Sequence, residues 1–374
     1  MNHLQPTLAF KNAVGLVCLL LALLCIQTPT FAKPADKDYT EYHKSIINAE
    51  YAIFIQNDSI GGLKIYKQVF DNYDFAFVDD CLVAFQLALV FKKEDYAMAF
   101  IKKALDNGFE LKLLDELSVG CACTHYSDRS CVRIHEAFIS KNRKYLEVYA
   151  KEAYPKYIQR IDKDLLAALI KHHVKEQLYK NYHAQLGFSM DDQWKEYLKV
   201  TDDNLAYMDS LANKKIFVGE QNLGIYTNKQ AEYLKMPFGT IENCLALALK
   251  NYRLPPGTFV PIITEGDYYE FGPVYNMQFH NPKTYNHLSV YKDEAIKKGY
   301  LHPREYASLK FNDRKGPHDD LFLQPTKAKI IDTKEINERR KQLLLPGYEI
   351  DYNKHAFAHA HNLQLCFGMF NGTR

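Results

Sequence analysis

Between Tyr39 and Asn107, apolar residues recur at intervals of three and four: Tyr42, Ile46, Ala49 and Ile53; Leu63, Tyr66, Val69 and Tyr73; Leu82, Phe85 and Leu89; Ala97, Ile101 and Ala104. That period places each set on one face of a helix. Polar breaks separate the sets at Asn57-Asp58-Ser59, Asn72-Tyr73-Asp74 and Lys92-Lys93-Glu94-Asp95, and Asn107-Gly108 closes the fourth where glycine favours a left-handed turn. The pattern predicts four helices in two successive helix–turn–helix units. Small residues, Gly62 and Ala97, stand at matching places 35 residues apart, and each is followed seven residues later by another core position, Val69 or Ala104.

A period near 34 with small residues at the helix crossings resembles the tetratricopeptide repeat. The repeat's Trp and closing Pro are missing from both units. An ordinary four-helix segment is the competing reading, and both readings predict the same helices. Two units are fewer than such repeats need to stand alone, so they must pack on later parts of the chain. The resemblance implies a concave helix face that takes a peptide or partner domain.

From Tyr154 a helical period resumes through Ile158, Ile161, Leu165, Ala168 and His172, with Pro155 expected in the first turn of that helix. Further helices are expected around Asp192–Val200, Asp203–Ala212, Asn228–Leu234, Thr240–Tyr252, His287–Gly299 and His302–Leu309. The β-branched and aromatic stretches from Gly257 and Tyr268 predict at most a short hairpin around Glu265-Gly266-Asp267. The expected fold class is mainly α. The expected organisation is a signal peptide over 1–32, helical repeats over 33–118, a Cys-rich connector over 119–153, a helical domain over 154–350 and a His-rich tail over 351–374.

The stretch from Tyr154 to Ile350 also carries an Asp203-Asn204 helix, a Gly219-x-x-x-Leu223-Gly224 turn and a closing Ile336-Asn337-Glu338-Arg339-Arg340-x-x-Leu343-Leu344-Leu345-Pro346-Gly347-Tyr348 segment. It resembles a family of uncharacterised secreted proteins common in the Bacteroidetes, whose domain ends in an Asn-x-x-Arg-Arg segment and often comes after helical repeats. The resemblance implies a mostly helical fold and no established activity. This chain departs from the family at Met236-Pro237-Phe238-Gly239, where a Gln-His pair usually stands, so a site built on that pair would be missing. Asp58-Ser59-Ile60 and Asp209-Ser210-Leu211 look like O-glycosylation acceptors of such bacteria.

The first 32 residues read as a leader. Lys11 precedes an apolar run from Ala13 to Ile26, and Thr30-Phe31-Ala32 offers a peptidase small residues at the right spacing. Cleavage after Ala32 and a secreted or periplasmic location are expected. The alternative, an uncleaved anchor, is disfavoured because the run is shorter than the about 20 residues a bilayer requires. No other long apolar run occurs, so no transmembrane segment is expected after cleavage.

Composition narrows the function classes. The 47 Lys and Arg against 45 Asp and Glu leave a charge of +2, without the basic excess of a nucleic-acid binder. The 27 Tyr and 22 Phe against one Trp suit half-buried helix surfaces, where a ring packs and a polar tip finds a partner.

Candidate chemistry is sparse. Cys121, Cys123, Cys131 and His135 are four donors of the kinds zinc prefers, at an uncommon spacing. For an exported chain, a disulfide linking Cys131 to Cys121 or Cys123 is the favoured alternative. His355 and His359 lie one helical turn apart and form a two-ligand clip, with His361 nearby; a polar C-terminal extension is the blander reading. His172 and Glu176, with His173 adjacent, can hold a metal or relay a proton, or can simply edge a packed face. Arg339-Arg340 can clamp an anion, though an internal salt bridge for one and solvent for the other is the favoured reading.

No phosphate loop, nucleophile elbow or metalloprotease helix is present. The expected function is therefore a protein- or peptide-binding scaffold with no required cofactor. The alternative is a metal-dependent hydrolase using the His, Glu or tail ligands, with zinc the metal in question.

Overall fold

The computed structural model describes residues 37–112, 114, 134–181, 190–225, 227–235, 288–311, 333–361 and 365. The chain divides into two compact units, Met1–Lys37 and Asp38–Arg374. The expected leader and its cleavage point lie outside the described residues, as does the expected β-hairpin.

Thirteen helices and no strand occur among the described residues. They are α1 (Tyr39–Phe54), α2 (Ser59–Asn72), α3 (Val78–Val90), α4 (Glu94–Asp106), α5 (Glu136–Ile158), α6 (Lys163–Asn181), α7 (Met190–Asn213), α8 (Glu220–Leu223), α9 (Asn228–Tyr233), α10 (Lys292–Lys297), α11 (Pro303–Phe311), α12 (Thr333–Gln342) and α13 (Tyr348–Ala360). The fold is mainly α.

The first four helices pair as the period requires, α1 with α2 and α3 with α4, and α2 also packs on α3 and α4. Asp38 and Asp58 cap the first two, accepting hydrogen bonds from the backbone N–H of Thr40 and Gly61, both at 2.8 Å. Gly62 is where α1 and α2 cross: a Cβ there would stand 2.3 Å from Ile53 Cγ1 and 2.8 Å from the Ala49 carbonyl oxygen. Ala97 is fully buried at the matching place in the second hairpin.

The rest of the chain closes over these hairpins. α5 lies on α4, while α10 and α13 lie on α1. One hydrophobic cluster runs from Tyr39 to Leu365 and draws on α1 to α7 as well as α13. A smaller cluster gathers Phe217, Leu288, Ile296, Leu301, Tyr306 and Leu345. Several buried tyrosines turn their hydroxyls to polar partners. Buried Tyr39 donates to the Phe75 carbonyl at 3.0 Å and Tyr42 to Asp80 at 2.9 Å. Tyr157 is held between two glycines of positive φ, Gly108 against its ring and Gly224 against its hydroxyl. That hydroxyl accepts from the Ile225 N–H at 2.8 Å and donates to Gln230 Oε1 at 3.2 Å.

Four expectations need correction. Pro155 stands in the last turn of α5, not the first turn of a helix, and the helix it belongs to begins at Glu136, inside the expected connector. The apparent period from Ile158 to Leu165 runs across a break. There Asp162 Oδ1 accepts from the Leu165 N–H at 3.0 Å and starts α6. The helices expected at Asp192 and Asp203 are one helix, α7. The expected tail is no solvated extension at its start: α13 packs on α1, with Asp351, Lys354 and Ala358 buried.

Candidate functional site

The most concentrated chemistry in the described residues is a polar interior where α1, α3, α8, α11, α12 and α13 meet. One part of it is an ionic seam. Arg304, in the first turn of α11, places Nη2 2.9 Å from Asp351 Oδ1 and 3.4 Å from Glu50 Oε2. Arg340 of α12 pairs with the other oxygen of Asp351 and donates from Nε to the Pro346 carbonyl at 2.6 Å. Lys354 of α13 pairs with Glu50, which also accepts from the Tyr66 hydroxyl at 3.5 Å. Arg340 has no exposed surface, and Glu50, Asp351 and Lys354 are buried.

Burial alone would raise the pKa of Asp351, but the charges of Arg304 and Arg340 outweigh it and hold the carboxyl below its ordinary range. Burial would likewise depress Arg304, yet Asp351 and Glu50 raise it. Burial prevails at Lys354, which is lowered despite Glu50.

The second part is an acidic junction built from helix N-termini. Phe77, the N-cap of α3, offers no side-chain acceptor, so the first donors of α3 are met from elsewhere. The Val78 N–H donates to Glu220 Oε1 of α8 at 3.0 Å, and the Phe77 N–H donates to the Tyr42 hydroxyl at 3.2 Å. Facing it is the start of α11. The His302 N–H donates to Glu305 Oε2 at 3.1 Å, and His302 Nδ1 accepts from the Arg304 N–H at 3.1 Å. This reciprocal pair is a capping-box variant in which the His302 side chain accepts from the second helical N–H instead of the third, with Pro303 at the first helical position.

The box also fixes the tautomer of His302. Nδ1 accepts, so Nε2 carries the proton and points toward Asp80 Oδ2 at 3.5 Å. Burial raises Asp80, but His302 and the bonds from His302 and Tyr42 bring it below its ordinary value. At three other carboxyls burial prevails. It pushes Asp79 up to about 7, raises Glu220 well above its ordinary value and raises Glu305. Burial also lowers His43, packed edge-on to His302, to about 3, so it is neutral at physiological pH.

The residues singled out from sequence fall elsewhere. Cys121, Cys123 and Cys131 lie outside the described residues, and His135 immediately precedes α5. His172 and Glu176 are joined through Asn204 and do not face one ligand together. The Asn204 amide donates from Nδ2 to Glu176 Oε2 at 2.6 Å, so its Oδ1 faces His172 Nδ1 at 3.0 Å and accepts from it. The His172 ring stacks on Tyr207 at 4.3 Å. His355 is half-buried on α13, the side chain of His359 lies outside the described part, and His361 packs near Phe357. Cys81 is a free, buried thiol. No group of three or more His, Cys, Asp or Glu among the described residues is arranged to hold a metal ion. Of the arginine pair, Arg340 makes the internal salt bridge and Arg339 pairs with Glu335 at 2.9 Å near the surface.

Sequence reading missed the seam because its partners are far apart, Glu50 lying 254 residues from Arg304 and 304 from Lys354. One local signal was present: His302-Pro303-Arg304-Glu305 has proline at the first helical position and glutamate at the third. No protein-family model, curated protein or solved structure matches the chain. No described helix is long and apolar enough to cross a membrane.

Proposed function

We propose that this is an exported helical-repeat protein of a bacterial envelope or exterior that binds a protein or peptide partner as a scaffold. The observation that carries the reading is the tandem of two helix hairpins with small residues at matching positions, Gly62 and Ala97. The charged side chains of the interior support it as well, since the seam spends them on one another and not on a presented substrate site. The closing Ile336-Asn337-Glu338-Arg339-Arg340 stretch, one residue shorter between Asn and the Arg pair than the family's pattern, supports membership of the secreted Bacteroidetes family, and the run ending at Ala32 supports export.

The α1 face is already covered by α10 and α13. Partner contact is therefore assigned to outer faces, where Tyr145 and Val148 of α5 and Trp194 and Leu198 of α7 are exposed. The test is capture from an envelope fraction with the full chain, comparing Tyr145→Ser/Val148→Ser and Trp194→Ser/Leu198→Ser with the parent. Deleting the front helices would unfold the shared core and is not a usable control. A partner lost with one double variant supports the reading, whereas identical capture by the parent and both variants removes it. N-terminal sequencing of the exported species should begin at Lys33. A stoichiometric zinc retained through dialysis would favour the metal-dependent hydrolase instead.

A further inference from the structure

We propose that the acidic junction is a proton-gated latch: the ends of α3, α8 and α11 stay together while Asp79 and Glu220 hold their protons, and separate when those protons leave. The geometry carries this. Three segments distant in sequence bring four carboxyls, Asp79, Asp80, Glu220 and Glu305, to one place. Asp80 has both a histidine and a hydroxyl donor upon it. Asp79 Oδ1 is shut off from solvent with no hydrogen-bond partner among the described residues, which a neutral carboxyl tolerates far better than an ionised one.

The groups facing Asp79 and Glu220 do not outweigh their burial. From α1 come neutral His43 and the Tyr42 hydroxyl, and from α3 the Cys81 thiol. The end of α5 offers Tyr157 and, just beyond it, Arg160; Arg160 donates to the Asp106 carbonyl and Asn107 Oδ1. α11 offers Arg304, whose guanidinium is engaged by Glu50 and Asp351. His302 directs its Nε2 at Asp80. Ionising Asp79 and Glu220 therefore sets like charges against one another and against Asp80 at the joint.

Burial holds Asp79 up to about 7, so it titrates in the neutral range. Opening returns it to its ordinary carboxylate value near 4. Between about pH 5.5 and 8.5, ionisation of this one group raises the opening equilibrium about thirty-fold.

Peptide-level hydrogen exchange of the full chain at those two pH values tests the latch, read as protection factors so that the intrinsic base dependence is divided out. The expected result is that α3, α8 and α11 lose protection together at the higher pH while the α2–α4 contact keeps it. Asp79→Asn, which keeps the shape and removes the charge, should cut that loss, and Glu220→Gln should do so separately. Unchanged protection in the three segments, an equal loss throughout the chain, or a full loss surviving in both variants would each overturn the proposal. If neither variant folds, the infrared band of protonated carboxyl in the parent at about pH 6 decides: its presence supports the latch and its absence overturns it.

Discussion

The ionic seam and the acidic junction meet at the first turn of α11, and both are withdrawn from water, yet their charges are balanced in opposite ways. In the seam two carboxylates, Glu50 and Asp351, are met by Arg304, Arg340 and Lys354. In the junction four carboxyls gather about His302, with backbone N–H groups and a tyrosine supplying further support. Burial penalises a charge in both places, and the partner decides which protonation state survives. Asp351 is driven low and Asp79 high, although both carboxyls sit in the same interior. Depth alone, then, does not make a titratable group either a fastener or a switch.

The comparison breaks most easily at the seam. Arg304→Met removes a partner from both Glu50 and Asp351, and the loss of stability is expected to be about 3–5 kcal/mol, read from urea unfolding. A change below about 1 kcal/mol would mean that the seam is not an ion-pair network in solution. Next comes the junction. Asp79 has its folded pKa raised, so its contribution is fully present below its ordinary value near 4 and is lost as pH rises through about 7. Asp79→Asn is therefore expected to flatten the fall in stability across that window by about 2–4 kcal/mol in thermal or urea unfolding. Parallel pH profiles for parent and variant would remove the contrast.

The seam has the opposite pH signature and a smaller reach. The folded pKa of Asp351 is depressed, so its contribution is present above its ordinary value near 4 and declines as pH falls through the lower folded value. Stability measured downward from about pH 5 should fall less steeply in Asp351→Asn than in the parent. The smallest effect belongs to an exposed pair that lacks the burial of either region. Lys141 and Glu94 are 2.6 Å apart, with both side chains largely in solvent. Lys141→Ala should cost less than about 1 kcal/mol, and a larger loss would mean that burial is not what separates strong from weak pairs here.

Much of the fold was legible because its signals are local. The three- and four-residue period, the breaks at Asn57 and Lys92, and the small residue at Gly62 all report on contacts between neighbouring helices, and the hairpins form accordingly. Local reading failed where two helices happened to continue the same phase. Ile158, Ile161 and Leu165 look like one face, yet the Asp162 cap divides them, and only the capping signal could have said so. It failed in the other direction at Pro155, which the first-turn preference assigns to a helix start but which stands in the last turn of α5. The polar interior was largely illegible. Asn204 was visible only as part of a family pattern, and its role as the link between His172 and Glu176 depends on the packing of α6 against α7. Glu50 reads as a polar residue on an amphipathic helix, and nothing nearby in the sequence announces that its counter-charges lie on α11 and α13.

The span of that last contact bears on how the protein is made. Glu50 on α1 is buried beside Lys354 on α13, 304 residues later. During synthesis the first hairpins emerge carrying an acid whose counter-charges do not yet exist. An uncompensated charge of this kind opposes closure of the surrounding core. The N-terminal helices therefore cannot finish as an independent domain ahead of the ribosome, and their packing waits for the end of the chain.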